Sequence, residues 1–429
     1  MTSTVRASRS PGRSVRDTAP CTIALLVLSI LLQRLGVPVT EEQAPVMVPV
    51  VLFLLAVGLR TGEFRFSLGN LRLLAVVWGA AAVCTLAQVV LGGMPSLFSL
   101  ALIVVLYVVA AVAADITPAA VERVEKVFLG LMTFFAVVSI GQLASQYAGI
   151  PYEDRMLWFV PEGLLLVDYN TADPIAYGEA IYRSNGIVFL EPSFLSLFLG
   201  AAAALALWRR AHWLVITVLL VGMVPPLAGS GFVVLIPAVV VLAFTRSRRR
   251  NLLAIVPALA VAAVVAFLTP LGERYLDRST EAGDSNTSSS IRLVQPYYEL
   301  LPPSIEDPVS AAVGHGAGTA NDHLEAEGLT AVTQPIIPKV AFEYGLLGVV
   351  GILGALLLML GRGVRDRPWT LGLLVLYVYV NASFLQHTQV FITLFFICLM
   401  PAVARPAPPG DPDERRADDL VGAGTESSR

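Results

Sequence analysis

Leu271–Tyr344 reads LGERYLDRSTEAGDSNTSSSIRLVQPYYELLPPSIEDPVSAAVGHGAGTANDHLEAEGLTAVTQPIIPKVAFEY. It holds fifteen charged residues and two of the chain's four histidines, His315 and His323. On both sides the chain is apolar at the length that crosses a bilayer. Reading this stretch as a loop between spans, and not as a soluble domain, decides the fold. Long polar loops of this kind are uncommon unless they are functional or disordered.

The composition agrees. Hydrophobic residues are 56% of the chain and charged residues 14%, with a mean hydropathy of +0.72. A soluble domain carries about 25% charged residues. Cys21, Cys84 and Cys398 each sit in an apolar run without CxxC spacing, so they read as small packing residues and not as a metal set or disulfide framework. The first apolar run, Cys21–Leu32, has no small-x-small cleavage site after it and reads as a retained span.

About twelve apolar segments recur near span length: 20–36, 44–60, 71–91, 96–114, 126–148, 190–208, 212–228, 231–245, 251–270, 335–360, 369–386 and 388–404. The expected class is therefore an all-α integral membrane protein with about twelve transmembrane helices. Its polytopic domain covers 20–404, between a disordered basic tail at 1–19 and a disordered Pro/Gly/charge-rich tail at 405–429. The 212–245 pair reads either as two short spans or as one re-entrant hairpin, because Pro225-Pro226 and Gly229-Ser230-Gly231 interrupt it.

Arginines set the orientation. With the N-terminus inside, the inner loops hold Arg60, Arg65 and Arg72, then Arg123 and Lys126, Arg209 and Arg210, Arg246–Arg250, and Arg362, Arg365 and Arg367. The short outer loops 37–43 and 92–95 hold none. Arg34 is the one exception. This is the positive-inside pattern with both termini cytoplasmic, and it puts the long loops 149–189 and 271–334 outside. Both are acidic, which suits a polar ligand with a small anionic group held by a few chosen arginines.

The spans have almost no ionisable residue away from their ends, against the usual design of an ion-coupled carrier. The candidates lie at the outer ends. Arg183, before the sixth span, is either an interfacial anchor or a guanidinium fork on phosphate, aimed by a tight turn at Asn185-Gly186. Glu191 opens that span beside Pro192 as an ordinary helix start, or it pairs with Arg183, or it takes a proton from an attacking hydroxyl. Arg292 is the only Lys or Arg between Arg278 and Lys339, either a solvated loop residue or an anion contact. Gly314-His315-Gly316-Ala317-Gly318 lacks the strand and helix of a dinucleotide fingerprint. It is either a flexible connector or a place where backbone amides approach a sugar or phosphate. Asp322, His323, Glu325 and Glu327 lack zinc spacing and read as a solvated acidic turn, with His323 a candidate base. Lys339 and Glu343, four apart, form a salt bridge or offer the lysine to a lipid phosphate.

The order of these features resembles the O-antigen polymerase/ligase superfamily (Wzy-type). The matching pieces are Arg183-Ser-Asn-Gly-Ile-Val-Phe-Leu-Glu-Pro, the Gly229-Ser230-Gly231 break, Arg292, Gly314-His-Gly-Ala-Gly and Glu343-Tyr-Gly-Leu-Leu-Gly. The resemblance implies a metal-independent, inverting membrane glycosyltransferase of the class C type, with no cofactor. Its donor is a glycan on polyprenyl diphosphate, and the family's diphosphate-binding arginines map to Arg183 and Arg292. It further implies a bacterial cytoplasmic membrane location, contact with membrane lipid and a chain-length regulator as a candidate partner, with no nucleic acid. Ligase-type members carry a His-Asn pair shortly before the E-x-G turn. Here that place reads Thr333-Gln334-Pro335, which favours a polymerase. The general base stays open among Glu191, His315 and His323. The alternatives are a ligase transferring a finished glycan to another acceptor, and a flippase for lipid-linked oligosaccharide.

Overall fold

The computed structural model is mostly helical, the form in which an apolar chain satisfies its own backbone. It describes residues 11–39, 42–167, 169–175, 180–245, 252–253, 255–256, 294–329, 332–380 and 384–401. The chain starts with α1 (Pro11–Thr18) and α2 (Pro20–Leu31), a β1–β2 hairpin (Gly36–Val39, Glu42–Pro45) and α3 (Met47–Thr61). Then come β3 (Phe64–Phe66), α4 (Leu68–Val90), α5 (Leu97–Tyr107), β4 (Val112–Ala114) and α6 (Pro118–Tyr147). After a polar segment follow α7 (Pro192–Arg209), α8 (Trp213–Gly222) and α9 (Ser230–Phe244). Three short helices, α10 (Gln295–Leu300), α11 (Pro308–Val313) and α12 (Thr319–Ala326), precede α13 (Ile336–Gly348), α14 (Gly354–Asp366), α15 (Leu371–Val375) and α16 (His387–Leu394).

Among the described residues, four helices are long and apolar enough to cross a membrane: α4, α6, α7 and the run Ile336–Asp366. Shorter apolar helices accompany them. The helix α7 is buried at every position from Pro192 to Leu207, as expected for a helix apolar all round. Small residues let α9 cross it closely. A Cβ on Gly200 would fall 2.3 Å from the Gly231 carbonyl oxygen. Ser230 Oγ donates to Ser193 O at 2.5 Å, and Gly231 N donates to Ser196 Oγ at 3.1 Å. The interrupted segment 212–245 is thus two helices packed on α7.

Two ends of the bundle can be told apart. At one, β3 pairs antiparallel with β4, Phe64 opposite Ala114, and α4 and α6 both run away from this ribbon. Here Glu63, fully buried, closes the start of α2. Its carboxylate accepts from Cys21 N at 3.0 Å, Thr22 N at 2.7 Å and Thr22 Oγ1 at 2.6 Å. A carboxylate suits those unpaired amides and the positive end of the helix dipole. Arg209 meets Glu125 at this end at 2.6 Å, and Arg367 donates to Phe396 O at 2.7 Å. At the far end lie the β1–β2 hairpin, the 150–191 segment and the short helices α10–α12.

The first nineteen residues do not all stay unstructured. Residues 11–18 form α1, where Pro11 starts the helix, Arg16 lies 3.1 Å from Asp115, and Arg123 donates to the Asp17 carbonyl at 2.9 Å. The partners sit about a hundred residues away in sequence, out of reach of local composition. The long apolar run from Ile336 is not one straight helix either. Gly345, at φ 56° and ψ −157°, breaks it, and a π-helical turn follows at Val349–Leu353. The candidate span 251–270 is described only at 252–253 and 255–256, and the arginine cluster 246–250 and the tail 405–429 lie outside the described residues.

Candidate functional site

Arg183 stands on a segment fixed to the far end of α6 by two glutamines one turn apart. Gln146 Oε1 accepts from Tyr182 N at 2.7 Å, and its Nε2 donates to Tyr182 O at 3.0 Å. Gln142 Oε1 accepts from Ser184 Oγ at 2.5 Å and Gly186 N at 2.9 Å, while Nε2 donates to Asn185 Oδ1 at 3.3 Å. Asn185 Oδ1 also accepts from Ile187 N at 3.0 Å, the side-chain turn expected of Asn. Gly186 and Ile187 both lie in the left-handed region, at φ 63° and 72°. For β-branched Ile187 this is a strained conformation. It is held from outside: Arg34, 3% exposed, donates to Ile187 O at 2.7 Å and grips Asp154 at 2.9 and 2.5 Å.

The guanidinium of Arg183 is half satisfied. Nη1 lies 2.5 Å from Asp173 Oδ2, and the backbone N donates to Asp173 O at 2.9 Å. Its buried Nε, and the buried Nδ2 of Asn185, have no acceptor among the described residues. The expected Arg183–Glu191 pairing gives way to Arg183–Asp173. Glu191 instead sits at the N-cap of α7, where Oε1 accepts from Asn170 N at 3.3 Å and Oε2 from Ser193 Oγ at 3.2 Å. Pro174 pairs antiparallel with Tyr182, and Ile175 N donates to Ile181 O at 2.9 Å, which sets the Asp173 carboxylate beside Arg183. Tyr152 stacks on Tyr182 with ring centroids 5.0 Å apart. Burial, then the neighbouring Asp154 charge, push its phenol up to about 12.

The remaining candidates gather around α13. The break at Gly345 frees the carbonyls before it, and the glycine turn takes them. His315 N donates to Phe342 O at 2.9 Å and Gly316 N to Glu343 O at 2.8 Å. Cys84 Sγ donates to Tyr344 O at 3.4 Å, and Gln88 Nε2 donates to Gly314 O. Ser96 N donates to Ala317 O at 2.7 Å. The turn is therefore a wedge between α4, α5 and α13 and not a loose connector. Gly314 (φ 72°, ψ −164°) occupies a conformation only glycine holds readily, and a Cβ there would fall 2.3 Å from the Glu343 carbonyl carbon. Gly314→Ala is expected to cost about 1–3 kcal/mol from backbone strain alone, read as a lowered thermal midpoint in detergent; an unchanged midpoint would dismiss the wedge.

Both histidines lie against Phe342. The His315 ring stacks at 4.3 Å and the His323 ring sits at 5.1 Å. His315 Nδ1 is also 3.2 Å from Phe342 O. Lys339 and Glu343 are 2% and 0% exposed, with Nζ 2.7 Å from Glu343 Oε1. The contact is an ion pair by distance but lies outside hydrogen-bond geometry, since both Glu343 oxygens lack a hydrogen-bond donor among the described residues. Nζ donates instead to Gln334 Oε1 at 2.6 Å, and Gln334 donates onward to Asn321. The lysine faces inward and is not offered to a lipid phosphate.

Asp307 opens α11, which leads into the glycine turn. Its Oδ1 accepts from Val309 N and Ser310 N, each at 2.9 Å. The hydrogen bonds from Ser310 hold its carboxyl below the ordinary 3.8. A depressed folded value means the cap stabilises above the unfolded value and is lost as pH falls through the folded one. Amide exchange at Val309 and Ser310 is expected to quicken below about pH 4 beyond the intrinsic trend, and Asp307→Asn to weaken that pH dependence. Equal protection in both proteins at every pH would rule the cap out.

The candidates thus fall into two groups. Arg183, Asn185, Gly186 and Glu191 lie between α6 and α7; Gly314, His315, Gly316, His323, Lys339 and Glu343 surround α13. Arg292 lies outside the described residues. Arg34, Gln142 and Gln146 escaped the sequence reading. Their signals were Arg34 as the exception to the charge rule, and a pair of glutamines four apart in an apolar run. Among the described residues no group of three or more His, Cys, Asp or Glu side chains is placed to hold a metal ion. No family model and no curated protein matches the chain.

Proposed function

We propose that this chain is a polysaccharide polymerase. It transfers a glycan from polyprenyl diphosphate onto a lipid-linked repeat unit at the outer face of a bacterial cytoplasmic membrane. In this reading about twelve spans alternate between the two ends of the bundle. The end with Arg34, Arg183 and α10–α12 faces outward, and the end with Arg209 and Arg367 faces the cytoplasm.

The observation that carries the reading is the pair of unclaimed donors, Arg183 Nε and Asn185 Nδ2, buried on one rigid turn. A buried donor without an acceptor is costly. Two of them beside a cation suit an anionic oxygen. As the acceptor hydroxyl attacks the anomeric carbon, the bond from that carbon to the diphosphate oxygen breaks and charge grows on the leaving group. Fixed donors aimed at such charge stabilise it without reorganising. The hydroxyl proton passes to a base, for which Glu191, His315 and His323 are the candidates. Asp173 holds Arg183 in place.

The test is the purified full chain in liposomes with a synthetic polyprenyl-diphosphate repeat unit. Chain growth, read on a gel, is expected. Movement of the substrate across the bilayer with no new glycosidic bond would replace the polymerase by a flippase.

A further inference from the structure

Two features stand outside the chemistry at Arg183, and they meet at one hydrogen bond. Arg34 is the one arginine outside the positive-inside pattern of the short loops. Ile187 is the only β-branched residue at positive φ among the described residues. Such strain persists only where the surroundings impose it, and it clusters at active sites and ligand clamps. Arg34 Nη1 donates to the Ile187 carbonyl at 2.7 Å.

The neighbours of Arg34 keep that donor still. Both oxygens of Asp154 hold its guanidinium, at 2.9 and 2.5 Å, and Asp154 Oδ1 also accepts from Met156 N at 3.2 Å. The Arg34 carbonyl accepts from Leu166 N at 2.9 Å, and Leu35 pairs antiparallel with Leu165. The segment that carries Asp154 is thus fastened at both its ends to the chain just beyond α2. The two side chains are 4% and 16% exposed, so water competes little for the fork. Ile187 N in turn closes on Asn185 Oδ1. Relaxing φ at Ile187 would turn residues 183–186 against the chain that follows, and the donors of Arg183 and Asn185 with them.

We propose that Arg34 is a positioning residue of the transferase site, a clamp that keeps Ile187 in its strained form and so fixes the aim of Arg183 and Asn185. The clamp itself is a matter of geometry, while its effect on rate rests on the transferase reading. The test is a cycle in the purified full chain. Arg34→Met with Asp154→Asn removes the donor and leaves no lone buried charge. This paired change is made in the wild type and in Ile187→Gly, since glycine takes the left-handed region without strain. In the wild type it is expected to lower kcat for chain growth about tenfold or more with KM nearly unchanged, because fixed donors act on charge that grows in the transition state. In Ile187→Gly it should lower kcat about threefold or less, because no strain is left to hold. Amide exchange at residues 186–188 needs no substrate and should follow the same order, about tenfold faster after the paired change in the wild type and little altered by it in Ile187→Gly. A merely structural arginine would give equal losses in the two backgrounds. Equal losses, or unchanged exchange after the paired change in the wild type, overturn the clamp. If the wild type shows no chain growth, the transferase reading falls and the exchange cycle alone decides the clamp. If the paired variant does not fold, Arg34→Lys, which keeps a cation beside Asp154 but loses the fork, takes its place in the same cycle with the same outcomes.

Discussion

Arg183→Ala is expected to insert and fold normally yet extend a polyprenyl-diphosphate substrate about 100- to 1,000-fold more slowly, the loss typical of one fixed donor to developing charge. The turn that carries Arg183 is held mainly through its backbone and through Gln142, Gln146 and Arg34. Removing the guanidinium therefore leaves the turn in place, and Asp173, 24% exposed, can be hydrated. Arg183→Lys separates charge from geometry. A lysine keeps the charge but loses the planar fork and its Nε donor, so it should recover only a small part of the rate. Arg183→Ala with full activity would remove this residue from the mechanism. Loss of rate together with loss of the thermal midpoint would mark it as structural.

The second large effect concerns the buried pair in α13. Lys339→Met leaves Glu343 charged and buried without its cation. Glu343→Leu does the same to Lys339. Each is expected to cost about 3–5 kcal/mol. Removing both charges together, as Lys339→Met with Glu343→Leu, should lie close to the wild type, because an apolar pair needs no desolvation. Denaturation in detergent of the four proteins closes the cycle. If the double variant is as damaged as the sum of the two, the pair is not coupled and the reading of Lys339 as an internal residue fails. The Gln334–Asn321 link makes this pair the point where the polar segment 319–334 is tied to the apolar helix.

Much of the helical frame was legible because the information is local. The expected segments 71–91 and 190–208 appear as Leu68–Val90 and Pro192–Arg209, apolar helices long enough to cross a membrane, and 231–245 as the shorter apolar helix Ser230–Phe244. Span length and apolarity need no partner to be read. The turn at Asn185-Gly186 was legible for the same reason, since Asn closes such a turn with its own side chain and Gly tolerates the left-handed region by itself. What holds that turn was not. Arg34 and Asp154 lie 120 positions apart, and Gln142 meets Ser184 across 42. Nothing periodic marks such pairs. Glu191 looked like the partner of Arg183 because it was an acid nearby in sequence, and Asp173 won because the chain folds back. The glycine turn misled in another way. Glycine signals freedom in a sequence, whereas here each of Gly314, Gly316 and Gly318 is needed because a Cβ would meet a neighbour at under 3 Å.

The cap on α2 sets an order of assembly. This helix has no side chain of its own to close its first amides: Ala19 stands at the N-cap, and the acceptor for Thr22 arrives 41 residues later as Glu63. During synthesis α2 emerges first with those donors bare. They are closed only after α3 has been made and has brought the chain back to the same end. The first two apolar helices therefore mature as a pair. A ribosome stalled before residue 63 would hold an α2 that has length and apolarity but an open start.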